Sequence, residues 1–208
     1  ELAQYSRAQQ ELALHDALTG LPNRRLLEDR IETALQHANR NHHKAAVMYL
    51  DLDGFKAIND TYGHAYGDEI LKMVSQRLLS NSRKEDTVAR LGGDEFIVLL
   101  ADVHSLADAQ GPAANLVEAL SEPFFINDLT LQLSTSIGIS LYPDDAENVV
   151  DLISIADYAL YEAKRAGKNR YCANGSAARQ AALAVKPSMA PPAPAAAVAP
   201  AQELVQHR

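Results

Sequence analysis

A single cysteine, Cys172, is all that the sequence offers in thiol chemistry. No disulfide can form within the chain, and a small apolar residue near a strand end is its ordinary reading; a reducing, cytoplasmic setting is expected. No uninterrupted apolar run approaches the roughly 18 residues that a membrane-spanning helix needs, and the opening Glu1-Leu2-Ala3-Gln4 lacks a charged and then apolar leader. Neither a span nor a signal peptide is expected. Clustered Lys and Arg are missing as well. The formal charge of −8 argues against a nucleic-acid-binding surface, which needs many cations to neutralise phosphates. Between Arg90 and Lys164 there is no Lys or Arg at all, so any phosphate site must be local. What remains is 208 residues, 47% of them hydrophobic, enough for one ordinary globular core with flanking segments.

Two acidic stretches stand out against this background. Thr87 to Leu91 and Glu95 to Leu100 read as strands joined by Gly92-Gly93, a pair suited to a tight hairpin whose central residues need positive φ. Asp94 and Glu95 then sit where the second strand begins, and taken alone this is a hairpin with a charged, solvated tip. Upstream, Ala45 to Leu50 is a nearly continuous apolar run, the pattern of a strand covered by helices on both faces, and it ends in Asp51-Leu52-Asp53. Alternation puts Asp51 and Asp53 on the side of Val47 and Tyr49, so pairing beside the hairpin brings Asp51 toward Asp94 and Glu95. Like charges at that spacing are costly without a cation. Hard oxygen ligands with no thiolate among them point to Mg2+ or Mn2+. A helical-hand calcium loop starting at Asp51 fails, because its fifth and twelfth positions hold Phe55 and Tyr62.

These motifs resemble the GGDEF-domain diguanylate cyclases, which condense two GTP into cyclic di-GMP. Gly92-Gly93-Asp94-Glu95-Phe96 follows Arg90-Leu91, and Asp51-Leu52-Asp53-Gly54-Phe55-Lys56 lies upstream. Asp16-Ala17-Leu18-Thr19-Gly20-Leu21-Pro22-Asn23-Arg24-Arg25, Gly63-His64-Ala65-Tyr66-Gly67-Asp68 and a closing helix from Ala156 to Arg170 agree in order, over about residues 14 to 172. The resemblance implies an α/β fold, a central, mainly antiparallel sheet flanked by helices, like the palm of nucleotide cyclases and polymerases. It implies catalytic roles for Asp51, Asp94 and Glu95, with two Mg2+ (or Mn2+) ions held by those carboxylates and the Leu52 carbonyl. Glu95 could serve as metal ligand or as base for the hydroxyl proton. Asn59 and Asp68 would read guanine; Phe55 and His64 would contact the substrate; Lys56, Lys164 and Lys168 would hold phosphates. Considered by position alone, Asp68 is also explained by a helix N-terminus, Lys164 and Lys168 by a helix C-terminus, and Lys56 by solvation.

One domain carries one GTP site, so a homodimer is required for turnover. Arg83 and Asp86, spaced Arg-x-x-Asp ahead of the hairpin, match the family's inhibitory site for cyclic di-GMP; by composition alone they are a charged loop. An alternative from another class is a catalytically idle module that binds GTP or cyclic di-GMP and signals by contact.

The remaining chain divides simply. Leu2, Tyr5, Gln9 and Leu12 make a short heptad-like stripe in a segment 1 to 15, expected as a signalling helix after an upstream sensor domain, since the sequence starts on Glu rather than Met and reads as a piece of a larger protein. Residues 16 to 173 form the catalytic domain. Asn23 is expected to cap a helix to about Asn41, and another helix is expected from His64 to Leu79. A helical pattern from Ser105 to Leu120 should break or kink at Gly111-Pro112. His37, His42 and His43 have no convincing metal spacing with a nearby Cys or carboxylate and are read as solvated. Residues 174 to 208, rich in Ala and Pro, are expected to be disordered.

Overall fold

The computed structural model describes residues 13 to 173. The heptad-like stripe and the Ala/Pro-rich tail lie outside the described residues. The expected fold class is the observed one: a five-stranded sheet, mostly antiparallel, lies between two layers of helices. In chain order the elements are α1 (Arg24–Asn41), β1 (Lys44–Asp53), α2 (Phe55–Tyr62), α3 (His64–Ser80), β2 (Thr87–Gly92), β3 (Glu95–Val103), α4 (Leu106–Ser121), β4 (Phe124–Ile126), β5 (Leu129–Leu131), β6 (Ser134–Tyr142), α5 (Val149–Arg165) and β7 (Arg170–Ala173). The sheet order is β2-β3-β1-β6-β7, with only β7 parallel to its neighbour, and β4–β5 form a separate hairpin.

Strand β1 is central and fixes what each face does. Its even-numbered side chains, Ala46, Met48, Leu50 and Leu52, pack with Ile70, Val74 and Leu78 of α3 and Leu116 and Leu120 of α4. Its odd-numbered ones, Ala45, Val47 and Tyr49, pack with Leu27 and Ile31 of α1 and Ile155 and Leu160 of α5. That two-sided burial is why the strand is apolar at every position from Ala45 to Leu50; each fully buried Leu or Ile contributes about 1.5 to 3 kcal/mol relative to exposure. The alternation then delivers Asp51 to the α1/α5 face.

Helix α5 lies close against β6. A β-carbon at Gly138 would collide with the Ala156 carbonyl oxygen and the Leu160 amide, so the absent side chain is what lets α5 approach and bring its polar C-terminal half over the acidic end of β1.

The structure departs from the sequence expectations in two elements. Helix α4 continues through Pro112 without the boundary expected there. The residue before a proline normally clashes through its own β-carbon, and here that residue is Gly111; Ala109, Ala113, Leu116 and Leu120 bury one continuous face. The other is α2, for which the sequence reading named no element: a helix of two turns between β1 and Gly63 whose Phe55 and Ile58 reach the core. No helix among the described residues is long and apolar enough to cross a membrane.

Candidate active site

The β2–β3 hairpin turns at Gly92 (φ 142°) and Gly93 (φ 53°), both in the region where a side chain is strained. Behind the turn a part-buried ion pair fixes its path. Arg90 donates from Nε and Nη2 to the Gly93 carbonyl at 3.1 and 2.7 Å, and its Nη1 lies 2.8 Å from Asp16 Oδ1. Asp16 in turn accepts from the Thr19 amide and hydroxyl at 2.9 and 2.6 Å. Burial alone would push the Asp16 carboxyl up, but these hydrogen bonds and the guanidinium outweigh it and hold the group below its ordinary value. The Arg90 amide also donates to the Pro22 carbonyl at 3.0 Å. The opening motif and the acidic hairpin are therefore one unit. Asp16 escaped the sequence reading as a site residue; its only signal was membership of the Asp-x-Leu-Thr motif.

Beyond the turn, Glu95 pairs directly opposite Asp51 at the last rung of the β1–β3 ladder. Both side chains lie on the α5 face. Burial raises the Glu95 carboxyl, and the charges of Asp51, Asp157 and Asp94 raise it further, against a hydrogen bond from the Tyr49 hydroxyl. Burial likewise raises Asp51, with Asp94 and Asp53 adding to it and Lys164 opposing. The Tyr49 phenol is raised by burial and by Glu95 and Asp157. Asp157, on the face of α5 that also carries Lys164, is a further acid missed in sequence. Its own carboxyl is raised by burial.

Among the described residues one ammonium makes an ion pair with this cluster: Lys164 Nζ sits 2.9 Å from Asp51 Oδ2. The residues present fit a divalent ion, because the donors are hard oxygens, their charges are mutually uncompensated, and an ammonium is already drawn onto one of them. Leu52 lies one residue past the last β1–β3 pair, with its side chain in the core.

Asp53 follows a different course. Its carboxylate accepts from Ser136 Oγ at 3.0 and 2.9 Å, from Ser134 Oγ at 3.1 Å and from the Asn169 amide at 3.2 Å, and it is only 9% exposed. It seals the seam between β1, β6 and the loop into β7.

The remaining expected residues fall in three places. Asn59 and Asp68 flank the packing of α2 on α3. Asn59 Oδ1 is buried without a hydrogen-bond partner among the described residues, and a β-carbon at Gly67 would collide with it, so the glycine keeps open the space into which that oxygen points. Asp68 and His64 are exposed in the first turns of α3. Phe55, expected as a substrate contact, is a core residue only 7% exposed, with its ring edge beneath Gly67. Lys56 is exposed on α2, and Lys168 is exposed in the turn after α5 at φ 63°. Arg83 and Asp86 form their own turn, in which the Arg83 amide donates to Asp86 Oδ2 at 2.8 Å. Burial raises the Asp86 carboxyl, opposed by that bond and the Arg83 charge. Five residues of strand, Thr87 to Leu91, set this turn on the order of 20 Å from Gly92.

A mostly antiparallel sheet between two helical layers, with carboxylates gathered at a Gly-Gly hairpin, defines an acidic site of the nucleotide-cyclase type. The chain belongs to the family described as "Diguanylate cyclase, GGDEF domain", which matches residues 13–170. It is 50% identical over 171 residues to the bifunctional diguanylate cyclase/cyclic di-GMP phosphodiesterase MucR of Pseudomonas aeruginosa, covering 82% of this chain and 25% of MucR. It is 46% identical over 154 residues to the diguanylate cyclase TpbB of the same species, covering 74% of this chain and 35% of TpbB. The chain thus spans a quarter to about a third of these relatives. The solved GGDEF domain of TpbB superposes with a TM-score of 0.77 at 42% identity, covering 80% of this chain and 98% of that one. The coiled coil and GGDEF domain of DgcB from Caulobacter crescentus, solved with c-di-GMP, gives a TM-score of 0.75 at 25% identity, covering 83% and 92%.

Proposed function

We propose that this domain condenses two GTP into cyclic di-GMP and two pyrophosphates. The observation that carries the reading is the convergence of Asp51 and Glu95 across one ladder rung, with Asp94 beside them, leaving charge that only Lys164 offsets. Asp51, Asp94, Glu95 and the Leu52 carbonyl would hold two divalent ions, Mg2+ or Mn2+. Such ions, when bound, lower the pKa of the attacking 3′-hydroxyl and offset charge on the phosphates.

The chain's own residues do the rest. Each 3′-hydroxyl attacks the other nucleotide's α-phosphate, an O–P bond forms, the α–β bridge breaks, and pyrophosphate leaves. Asn59 Oδ1 and the Asp68 carboxylate accept from the guanine N–H edge; adenine offers a mismatched pattern there, and each well-formed polar pairing is worth about 1 to 3 kcal/mol of discrimination. His64 stands beside Asp68 at the open end of α3, and Phe55 supports Gly67 from below. Lys56, Lys164 and Lys168 would supply cations to the terminal phosphates, Lys164 from its place beside Asp51. Glu95, with its raised carboxyl, suits either ligation or removal of the hydroxyl proton.

Because each protomer brings one GTP, two copies must face each other across a two-fold axis. Product bound at Arg83 and Asp86 would lower the rate from a distance, through forked contacts of the guanidinium to guanine or phosphate. An upstream sensor domain would set how often the two copies meet, in a cytoplasmic setting. The experiment is direct: the purified chain is incubated with GTP and Mg2+ and the product is identified by mass. Cyclic di-GMP, formed faster per protomer as protein concentration rises, is expected. GTP left unconsumed by a verified dimer would overturn the activity, and a concentration-independent rate from a verified monomer would overturn the half-site arrangement.

A further inference from the structure

The opposite end of β1 and β3 carries a second constellation, of different chemistry. His43 immediately precedes β1, and Asp102 and His104 stand at and just past the end of β3. One ligand atom from each of the three lies within 4.8 Å of the others. The arrangement is set by the sheet. Lys44 pairs with Val103 and Ala46 with Leu100, so β3 carries an extra residue in this interval and bulges there, re-aiming Asp102 onto the side of His43. Val103 between the two ligands is buried and anchors them.

The local contacts are unusual for solvated side chains. His43 Nδ1 approaches Asp102 Oδ1 to 2.7 Å, yet off the hydrogen-bonding direction: Nδ1 is buried and makes no hydrogen bond among the described residues. The His104 ring stands edge-on to His43, with centroids 4.7 Å apart and planes at 89°. Two imidazoles and a carboxylate thus converge on one point, with an imidazole nitrogen that lies against a carboxylate oxygen without hydrogen-bonding to it. Side-chain rotation closes the rest of the distance, since tetrahedral ligands about 2.0 to 2.1 Å from a Zn2+ ion stand about 3.4 Å from one another.

The geometry points to a surface site for a borderline divalent ion such as Zn2+, bound by His43, Asp102 and His104 with water completing the sphere. Imidazole nitrogens select such an ion over Mg2+, which prefers an all-oxygen shell. Seven residues of strand, Lys44 to Leu50, set His43 about 26 Å from Asp51, so this ion is distinct from those proposed at the carboxylate cluster. It would clamp the C-terminal turn of α1, which ends at the left-handed His42, to the end of β3. His43, read from the sequence as solvated, is half-buried against Asp102. Its carboxylate partner lies 59 residues downstream, where spacing rules cannot find it.

The test uses the full chain without a polyhistidine tag, in excess Mg2+ to saturate the carboxylate cluster. Zn2+ is titrated in competition with a chromophoric chelator, and Co2+ absorption reports the coordination. One Zn2+ per chain is expected, with a higher melting temperature on loading. His43→Ala and, separately, the exposed His104→Gln should each weaken binding at least about tenfold, and Asp94→Asn should leave it unchanged. Absence of stoichiometric binding, or binding that both histidine variants retain, would overturn the site. If His43→Ala does not fold, retention or loss in His104→Gln decides the question alone.

Discussion

Asp51 and Asp53 leave the same strand on the same face two residues apart, yet their surroundings differ in kind. Asp53 is enclosed by two serine hydroxyls and a backbone amide and stitches three elements together. Asp51 faces Glu95 and Asp94, its burial and their charge raise its carboxyl, and only Lys164 answers it. A carboxylate kept for structure is given donors. One kept for chemistry is left with charge that a ligand must complete, at some expense in stability.

Substitutions can break this contrast, and the largest effect should fall on the open rim. Asp94→Ala or Glu95→Ala is expected to lower cyclic di-GMP formation by about a thousandfold or more, the scale of losing a preorganised charge-stabilising group, with the fold retained by circular dichroism. Retention of more than a tenth of the rate would break the contrast from the chemical side.

Asp53→Ala should act through stability. Removing the shared acceptor strands two hydroxyls and an amide, costing about 2 to 3 kcal/mol. The melting temperature should drop by about 5 to 10 °C in a domain of this size, as read by calorimetry.

The smaller effects sharpen the comparison. Glu95→Gln should raise the stability of the metal-free protein by about 1 kcal/mol near neutral pH, within the usual gain on relieving a strained functional group. The sign follows from linkage: a carboxyl raised in the folded state binds its proton more readily there than in the unfolded chain. Its ionisation therefore erodes stability as pH climbs through the raised value, and the benefit of Gln should vanish on acidification below the ordinary carboxylate range. Denaturant melts at a series of pH values would check this. Smallest of all, Asp68→Ser should reduce the preference for GTP over ATP by roughly tenfold with little change in melting temperature, measured by competition between the two nucleotides.

Much of this was legible in the sequence because its signals are local. The two-sided apolar run of β1, the Gly-Gly turn and the Asn23 cap each depend on residues a few positions apart, and the capping bond from the Leu26 amide to Asn23 is present. The pattern of β1 also predicted which face Asp51 would take. What stayed hidden depends on distant partners. Nothing near Asp53 announces Ser134 and Ser136, more than 80 residues away, and Asp16 meets Arg90 across 74. The run through Pro112 was obscured for a different reason. A proline and a glycine each argue for a break, whereas adjacent in this order the glycine relieves the clash that the proline creates.

On this reading the rim carboxylates hold metal and Asp53 does not. The most direct measurement is a Mn2+ titration followed by electron paramagnetic resonance in the presence of a non-reactive GTP analogue, below the melting temperature of every variant. Asp51→Asn and Asp94→Asn should each weaken Mn2+ binding by more than about tenfold, and Asp53→Asn should leave it within about twofold of the unmodified chain. Equal affinity in all three variants, or a loss as large for Asp53→Asn as for Asp94→Asn, would contradict the account.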